Sequence, residues 1–265
     1  MKKTVSLALA LTLALSLAAC GSGGSSSSTP ADASGSSSQS DTSSSAAGSV
    51  STPEGVDDVA TVTEKGTLVV GITNFEPMDY QDENGEWIGF DADMAKQFAE
   101  YLGVDVEFSE INWDYKVMEL NAGNIDVVWN GMTILPEVTS TMDVSIPYCL
   151  NAQVLVVPVD KVADFEDLTS LEGLTVAVES GSAGEAAATA LGASTVAVAK
   201  QADTLLEVSA GTSDAAVIDL LMAGAMIGEG TNYESLTYVL NLNELQNQES
   251  EEYGVGFRQG SNLVD

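Results

Sequence analysis

The sequence predicts an α/β protein with two similar lobes, and two observations support this. From residue 65 onward, short β-branched runs alternate with amphipathic stretches, which is typical of strands alternating with helices. This alternation occurs twice. An extended stretch at residues 152–158 lies between the two series, and another at residues 253–257 follows the second series. A chain that crosses twice between two lobes has two hinge segments, which we expect near residues 152–157 and 253–256.

The first lobe is predicted from residues 65–151 plus 253–265. A buried strand at residues 67–72 precedes a hairpin whose turn is Asn84-Gly85. The acidic residues around that turn also resemble part of a calcium loop, although the later acidic ligands of such a loop are missing. Asp91 is expected to cap a helix that Gly103 ends. The elements that follow are a strand at 104–108, a helix near 115–121 and a strand at 125–129, in which Trp129 is expected to be core.

The second lobe is predicted from residues 152–252 and repeats this order. Its expected elements are strands at 174–178, 195–199 and 215–218, and helices at 182–191, near 204–210 and from Leu220.

Composition restricts the possible functions. The 265 residues include 8 Lys and Arg, 40 Asp and Glu and no His, for a net charge of −32. Nucleic acid is excluded as a partner because phosphate binding needs a basic face, whereas this field attracts cations. The absence of His removes the commonest metal ligand and general base, and only Cys20 and Cys149 occur. We therefore expect no catalytic residues, no metal site and no cofactor.

The N-terminus predicts secretion followed by lipid anchoring. A basic head precedes an apolar run at residues 5–19, which is too short to span a membrane and is typical of a signal peptide at residues 1–19. It ends in LAAC, in which small residues precede Cys20, the pattern of a bacterial lipobox. Acylation of Cys20 is expected; the alternative is an ordinary buried thiol.

Residues 20–64 are predicted to be the lipidated cysteine and a flexible tether. Residues 21–52 include 15 Ser, and such a segment cannot bury enough apolar surface to offset its ordering entropy. A long tether is typical of a lipoprotein on the extracellular face of a Gram-positive cell membrane.

The ordered motifs of residues 65–265 resemble those of a known family. They read GTLVVGIT, FEPM, GFDADMAKQFAEYLG, ELNAGNIDVVWNGMTI, SIPY, LEGLTVAVESGSAGE, SDAAVIDLLMA and EEYGVGFRQGS. This set is similar to the polar amino-acid family of extracellular (periplasmic-type) solute-binding proteins of ABC importers.

The resemblance implies a type II periplasmic-binding-protein-like fold whose lobes close on a small amino acid or cationic amine. It implies a monomer that delivers this ligand to an ABC permease and is not an enzyme. The family continues beyond GFRQGS with helices that complete the first lobe, so those C-terminal helices are expected to be missing here and an apolar face to lack its cover. An amine-sensing lipoprotein and an enzyme on the same fold are the alternatives.

The resemblance also implies a set of ligand-binding residues, most of which follow strands, where α/β proteins place their clefts. The aromatic walls are assigned to Phe75 and Trp113, the contact with the ligand's ammonium to Asp219, and an anion seat to Ser182 and Ala183 at a helix N-terminus. Backbone and hydroxyl groups at the end of a strand are assigned to Asn130, Gly131 and Thr133. The alternatives are core positions for the aromatics, a turn for residues 130–133, and helix caps for Ser182 and Asp219.

Two positions differ from the family pattern. Val138 replaces an arginine that binds the ligand's carboxylate, and Glu179 replaces a residue that is often basic. The expected rim of the pocket is Glu76, Asp114, Val138 and Glu179. Asp79 and Asp219 are also expected at the cleft. An acidic pocket with aromatic walls favours a cationic ligand.

Replacement of Cys20 tests the anchor. Because only a cysteine at this position can be acylated, Cys20→Ala should leave unprocessed precursor and abolish incorporation of labelled fatty acid in cells. Acyl label that persists on this variant would contradict the prediction.

Overall fold

The computed structural model describes residues 55–265, so the predicted signal peptide, Cys20 and most of the predicted tether lie outside the described residues. No helix within this range is long and apolar enough to cross a bilayer. The helices of this range are α1 (Asp58–Lys65), α2 (Phe90–Leu102), α3 (Lys116–Ala122), α4 (Pro136–Thr139), α5 (Val162–Phe165), α6 (Ala183–Ala190), α7 (Asp203–Ala210), α8 (Leu220–Met226) and α9 (Leu242–Leu245). Its strands are β1 (Thr67–Ile72), β2 (Tyr80–Gln81), β3 (Trp87–Ile88), β4 (Asp105–Glu110), β5 (Val127–Thr133), β6 (Asp143–Val144), β7 (Cys149–Asn151), β8 (Gln153–Pro158), β9 (Thr175–Glu179), β10 (Ser194–Val198), β11 (Ala215–Asp219), β12 (Leu236–Asn241) and β13 (Glu251–Phe257).

The strands form two main sheets, each of which, with its helices, we call a lobe. Lobe one has the strand order β4-β1-β5-β13-β6, with β7 beside β13, and lobe two has the order β10-β9-β11-β8-β12. In each lobe three parallel strands are followed by an antiparallel strand: β13 beside β5, and β8 beside β11. The predicted α/β class with two lobes is confirmed.

The central strand of lobe one is longer than the sequence predicts. Strand β5 was expected to end at Trp129, but it continues to Thr133, and all seven of its residues are buried. The extension arises because β13 pairs with it, placing Tyr253 opposite Thr133. Asn130, Gly131 and Thr133 are therefore strand residues rather than loop residues. Trp129 is buried, with its ring 6.0 Å from that of Phe98.

The predicted hairpin at Asn84-Gly85 is confirmed, since β2 and β3 pair antiparallel. The Asp82 carboxylate accepts hydrogen bonds from the backbone N–H groups of Asn84 and Glu86, at 2.8 and 2.9 Å. These contacts are those of an Asx-type turn, in which the acidic side chain stabilises the local backbone.

The predicted C-terminal boundary of the tether, residue 64, is wrong, because helix α1 begins at Asp58. Asp57 caps this helix by accepting the N–H of Ala60 at 3.1 Å. Val62 is fully buried in a cluster that includes Leu68 and Leu263. Burial of this apolar side chain stabilises a segment that composition alone leaves flexible.

Arg258 ties α1 to the rest of lobe one. Its guanidinium donates to both carboxylate oxygens of Asp58, at 2.7 to 3.2 Å, and to the carbonyls of Leu120 and Ile125, at 3.0 and 2.9 Å. Asp126 is also buried, 3.8 Å from this guanidinium and 2.6 Å from the ammonium of Lys65. One side chain thus joins segments from both ends of the described chain.

Replacement of Arg258 should destabilise the protein. Arg258→Met leaves the buried carboxylate of Asp58 without its partner, so the free energy of unfolding in urea should fall by about 3–5 kcal/mol. The control is Lys200→Met, which removes an ion pair whose side chains are 48% and 42% exposed and should change that free energy by about 1 kcal/mol or less. Equal losses in the two variants would contradict this account.

Candidate functional site

A small polar cavity lies between the two lobes. Its lining residues come from both sheets: Thr73, Phe75, Trp113, Asn130, Gly131, Thr133, Glu179, Ser182, Ala183, Gln201 and Asp219. The free volume is about 20 Å³, which is room for about one water molecule. A larger ligand therefore enters only if the lobes or the lining side chains move apart.

The structure brings the sequence-predicted residues together. All eight residues assigned to ligand binding line this cavity, and so does Glu179 from the expected rim. Two lining residues were missed, Thr73 and Gln201. Both follow strands, β1 and β10, and this signal could have found them.

The other three expected rim residues do not line the cavity. Val138 is 7% exposed and packs in an apolar cluster with Trp113 and Leu120, because α4 turns it toward the interior of lobe one. Asp114 is exposed at the mouth of the cleft, beside Gly181. Glu76 is half-buried beyond the cavity.

Asp79, expected at the cleft, is fully buried inside lobe one instead. Neither of its carboxylate oxygens has a hydrogen-bond partner in the described part of the chain. Burial, reinforced by the nearby Asp91, raises the pKa of Asp79 to about 9. This carboxyl group is therefore neutral at pH 7 and contributes no charge to the cavity.

The two aromatic walls of the cavity, Phe75 and Trp113, are each packed against other side chains. The ring of Phe75 meets that of Tyr253 edge-on, with centroids 6.4 Å apart. Gly131 has a φ of +54°, and a Cβ there would lie 2.5 Å from the Phe75 ring, so only glycine fits this position. On the opposite wall, the Lys116 ammonium lies 4.7 Å from the centroid of the Trp113 ring.

Some of the polar groups that lobe one contributes to the cavity are already hydrogen-bonded within the protein. The Asn130 side chain accepts the N–H of Thr73 at 2.6 Å and donates to its hydroxyl at 3.0 Å. The N–H of Gly131 donates to Asp91 Oδ2 at 2.6 Å. This N–H is therefore already paired with a carboxylate of the protein in this arrangement.

The sequence predicts that Asp91 caps α2, and this prediction is wrong. The N-cap is Gly89, and Asp91 lies buried in the first helical turn. Its Oδ2 also accepts the hydroxyl of Tyr148 at 2.7 Å. Burial raises the pKa of Asp91 to about 6, while these hydrogen bonds oppose the shift. The residue positions the backbone of the cavity floor rather than a helix end.

The N-terminus of α6 borders the cavity, since Ser182 and Ala183 line it. Ser182 is its N-cap, and its hydroxyl accepts the N–H of Glu185 at 3.1 Å, while Glu185 accepts the N–H of Gly181 at 2.8 Å. This is close to a capping box. The N–H groups of Ala183 and Gly184 lie in the first turn, where a helix offers them no carbonyl partner of its own. The cap alternative for Ser182 is thus correct, and it does not conflict with a seat at Ala183.

Asp219 is the centre of a polar network. Its Oδ1 accepts hydrogen bonds from Asn151, from Gln153 at 3.0 Å and from the Tyr253 hydroxyl at 2.7 Å, and its Oδ2 accepts one from Gln201 at 2.6 Å. Its side chain makes no capping bond to α8. Burial, together with the charge of Glu251, raises the pKa of Asp219 to about 6.

Glu179 is the second carboxylate of the cavity and is 4% exposed. Its Oε1 accepts the backbone N–H of Gln201 at 3.2 Å. Burial raises its pKa to about 8, and the neighbouring charge of Asp219 acts in the same direction. The residue therefore holds a proton for much of the time at pH 7.

Lys116 bridges the lobes and was missed by the sequence analysis. Its ammonium donates to the carbonyl of Gly181 in lobe two at 3.0 Å and to that of Trp113 at 3.2 Å. Gly181 has a φ of +72°, and a Cβ there would lie 2.8 Å from Asp114. The lobes thus meet closely at this point. A second cross-lobe contact joins Lys200 and Glu110, at 2.5 Å.

Two α/β lobes, joined by two strands and enclosing a polar cavity, define a type II periplasmic-type binding protein. The chain belongs to the family described as bacterial extracellular solute-binding proteins, family 3, whose model matches residues 68–253. Within residues 55–265 no group of three or more acidic or cysteine side chains is placed to hold a metal ion.

Several known proteins are similar to this chain. It is 36% identical over 91 residues to the L-cystine-binding protein of Escherichia coli K12, a stretch that covers 34% of each chain. It is 25% identical over 218 residues to an arginine-binding extracellular protein of Bacillus subtilis, covering 80% of this chain and 82% of that one. A point mutant of arginine-bound ArgBP from T. maritima superimposes with a TM-score of 0.68 at 32% identity, over 76% of this chain and 92% of that chain.

The relatives also include an enzyme. Cyclohexadienyl dehydratase of Pseudomonas aeruginosa is 28% identical over 127 residues, which cover 47% of each chain. The chain thus spans about a third to a half of the length of several curated relatives that it matches.

The Lys116 contact predicts a change in lobe closure. Lys116→Met removes the cross-lobe hydrogen bond and the cation over Trp113, so the lobes should separate and expose the indole. Acrylamide quenching of tryptophan fluorescence should rise, and the rise should disappear in a Trp113→Phe background. Lys200→Met, which removes the exposed cross-lobe pair, should leave quenching unchanged. An unchanged signal in Lys116→Met would show that other contacts hold the lobes together.

Proposed function

We propose that this protein is the substrate-binding component of an ABC importer, which captures an amino acid or related amine outside the membrane and delivers it to a permease. The preferred ligand carries a positive charge. A lipid on Cys20 anchors the protein on the extracellular face of the membrane, and residues 20–57 serve as the tether.

The observation that carries this proposal is the charge of the cavity. Its lining includes the carboxylates of Glu179 and Asp219 and the rings of Phe75 and Trp113, and none of its eleven residues is a lysine or arginine. Carboxylates pair with ammonium or guanidinium groups, and aromatic faces attract the same cations. The chain's net charge of −32 draws cations toward the cleft.

Ligand capture involves closure of the lobes. We assign residues 65–151 and 253–265 to lobe one and 152–252 to lobe two, with α1 added to lobe one. Because the cavity has room for only about one water molecule, an open form must admit the ligand, and the crossing strands β8 and β13 are the natural hinges. The N–H groups at the start of α6 then seat a carboxylate if the ligand has one.

Binding without chemical turnover fits the lining better than catalysis does. The lining hydroxyl of Ser182 accepts the N–H of Glu185 as a helix cap, and that of Thr133 donates to the Glu251 carboxylate. The chain contains no His, so it has no hydroxyl–imidazole pair of the kind that activates a nucleophile. The dehydratase among the relatives makes turnover a necessary control: incubation of each bound ligand followed by chromatography should return it unchanged. An amine-sensing lipoprotein would use the same cavity, and a permease-dependent uptake assay separates the two roles.

A ligand panel tests the charge preference. Arginine, lysine, polyamines and quaternary amines should raise the midpoint of thermal unfolding more than glutamate or aspartate do, with affinities then measured by calorimetry. Because a hydrogen bond to a charged group contributes about 1.5–3 kcal/mol, Asp219→Ala should weaken binding of the best cation by about tenfold or more.

The matched control is Asp164→Ala, which removes an exposed carboxylate from lobe two. It should change affinity by less than about twofold, as for a screened surface charge. Tighter binding of glutamate or aspartate than of every cationic ligand would overturn the proposed ligand class.

A further inference from the structure

The cavity buries two carboxylates without a cationic partner. Glu179 is 4% and Asp219 5% exposed. Within residues 55–265, no lysine or arginine nitrogen lies within 4 Å of either carboxylate. Two like charges that share a desolvated site cannot both be ionised cheaply, so one of them keeps a proton.

The charged groups around Glu179 relieve this crowding of negative charge only in part. Asp219 on β11 and Asp203 on α7 add negative charge. The charge of Lys116 on α3 lowers the pKa of Glu179, but burial outweighs it, and the ammonium donates to the carbonyls of Trp113 and Gly181 rather than to this carboxylate. The described contact of the Glu179 carboxylate is one backbone N–H, from Gln201.

Asp219 is better prepared to stay ionised. It accepts four side-chain hydrogen bonds, although a third carboxylate, Glu251, lies behind it. The amides of Asn151 and Gln153 each donate to both Asp219 and Glu251, which separates these two charges with donors. Burial raises the pKa of Glu179 to about 8 and that of Asp219 to about 6. Glu179 is therefore the group that holds the proton at pH 7.

We propose that the cavity exchanges a proton for its ligand: Glu179 is protonated while the cavity is empty, and a bound ammonium or guanidinium displaces that proton to solvent. This rests on the proposed binding of a cationic ligand. The exchange is balanced, because the O–H bond of Glu179 breaks, its electron pair stays on the carboxylate, and the positive charge of the ligand replaces that of the proton.

The exchange gives opposite pH dependences to binding and to stability. Affinity for a cation should rise by up to about tenfold per pH unit between pH 6 and pH 8, because one proton is released. The stability of the unliganded protein, in contrast, should fall as the pH rises. Since the folded pKa of Glu179 is above its ordinary value of about 4.3, its contribution to stability is complete below that value and is lost as the pH rises toward 8.

Calorimetry with L-arginine at pH 7, in buffers of different ionisation enthalpy, measures the protons released on binding. We expect close to one proton for the wild type and close to none for Glu179→Gln. The control Glu166→Gln removes an exposed carboxylate of lobe two and should keep the wild-type value. Arginine binding without proton release, or equal release by Glu179→Gln, would overturn the exchange while leaving the proposed ligand class intact.

Thermal unfolding of the unliganded proteins from pH 5 to pH 9 tests the stored proton without any ligand. The decline of the midpoint with rising pH should be steeper for the wild type than for Glu179→Gln. Parallel curves would overturn the exchange, whereas failure of every cationic ligand to bind would overturn the proposed function.

Discussion

The two strands that connect the lobes meet around two carboxylates, and this polar junction positions the rest of the site. Asn151 and Gln153 from the first crossing, and Tyr253 from the second, all donate to Asp219. Glu251 accepts from Asn151 and Gln153 and from Thr133 of lobe one. Buried amides and hydroxyls need partners, and here they find them in carboxylates at the place where the lobes join.

This junction determines what the cavity can hold. Because Asp219 is fixed by side chains from both crossings, any movement of the lobes changes its surroundings directly. The aromatic walls depend on the same elements: Tyr253 packs against Phe75, and Gly131 on the neighbouring strand leaves the space that the Phe75 ring fills. Hinge and ligand site are therefore one structure, as expected of a protein that buries its ligand by closing.

Val138, which stands where the family pattern has an arginine, does not line the cavity. Val138 joins the apolar cluster around Trp113, and a lysine three residues beyond that tryptophan, Lys116, occupies the cleft between the lobes. Its ammonium donates hydrogen bonds to backbone carbonyls rather than to a carboxylate. This cation contacts both lobes, and the lining of the cavity contains no lysine or arginine.

The sequence by itself determined the alternation of strands and helices, the two crossings, the family and the eight candidate residues around the cavity. The alternation and the crossings depend on periodicity, which is a local property of the chain, whereas the family and the eight residues follow from the resemblance of the ordered motifs. Tertiary structure alone decided which acidic residues reach the cavity. Glu76, Asp79, Asp114 and Glu179 are all acidic, yet of these four only Glu179 lines the cavity, because burial and orientation depend on distant segments.

Long-range contacts also decided the packing of α1 and the bridge between the lobes. Arg258 meets Asp58 across 200 residues of sequence, and Lys116 meets Gly181 across 65. No local pattern encodes such pairs, because a polar side chain is chosen by the partner that the fold brings to it. The elements were therefore readable from the chain, whereas the charge state of the cavity arises only where β9, β11 and α3 come together.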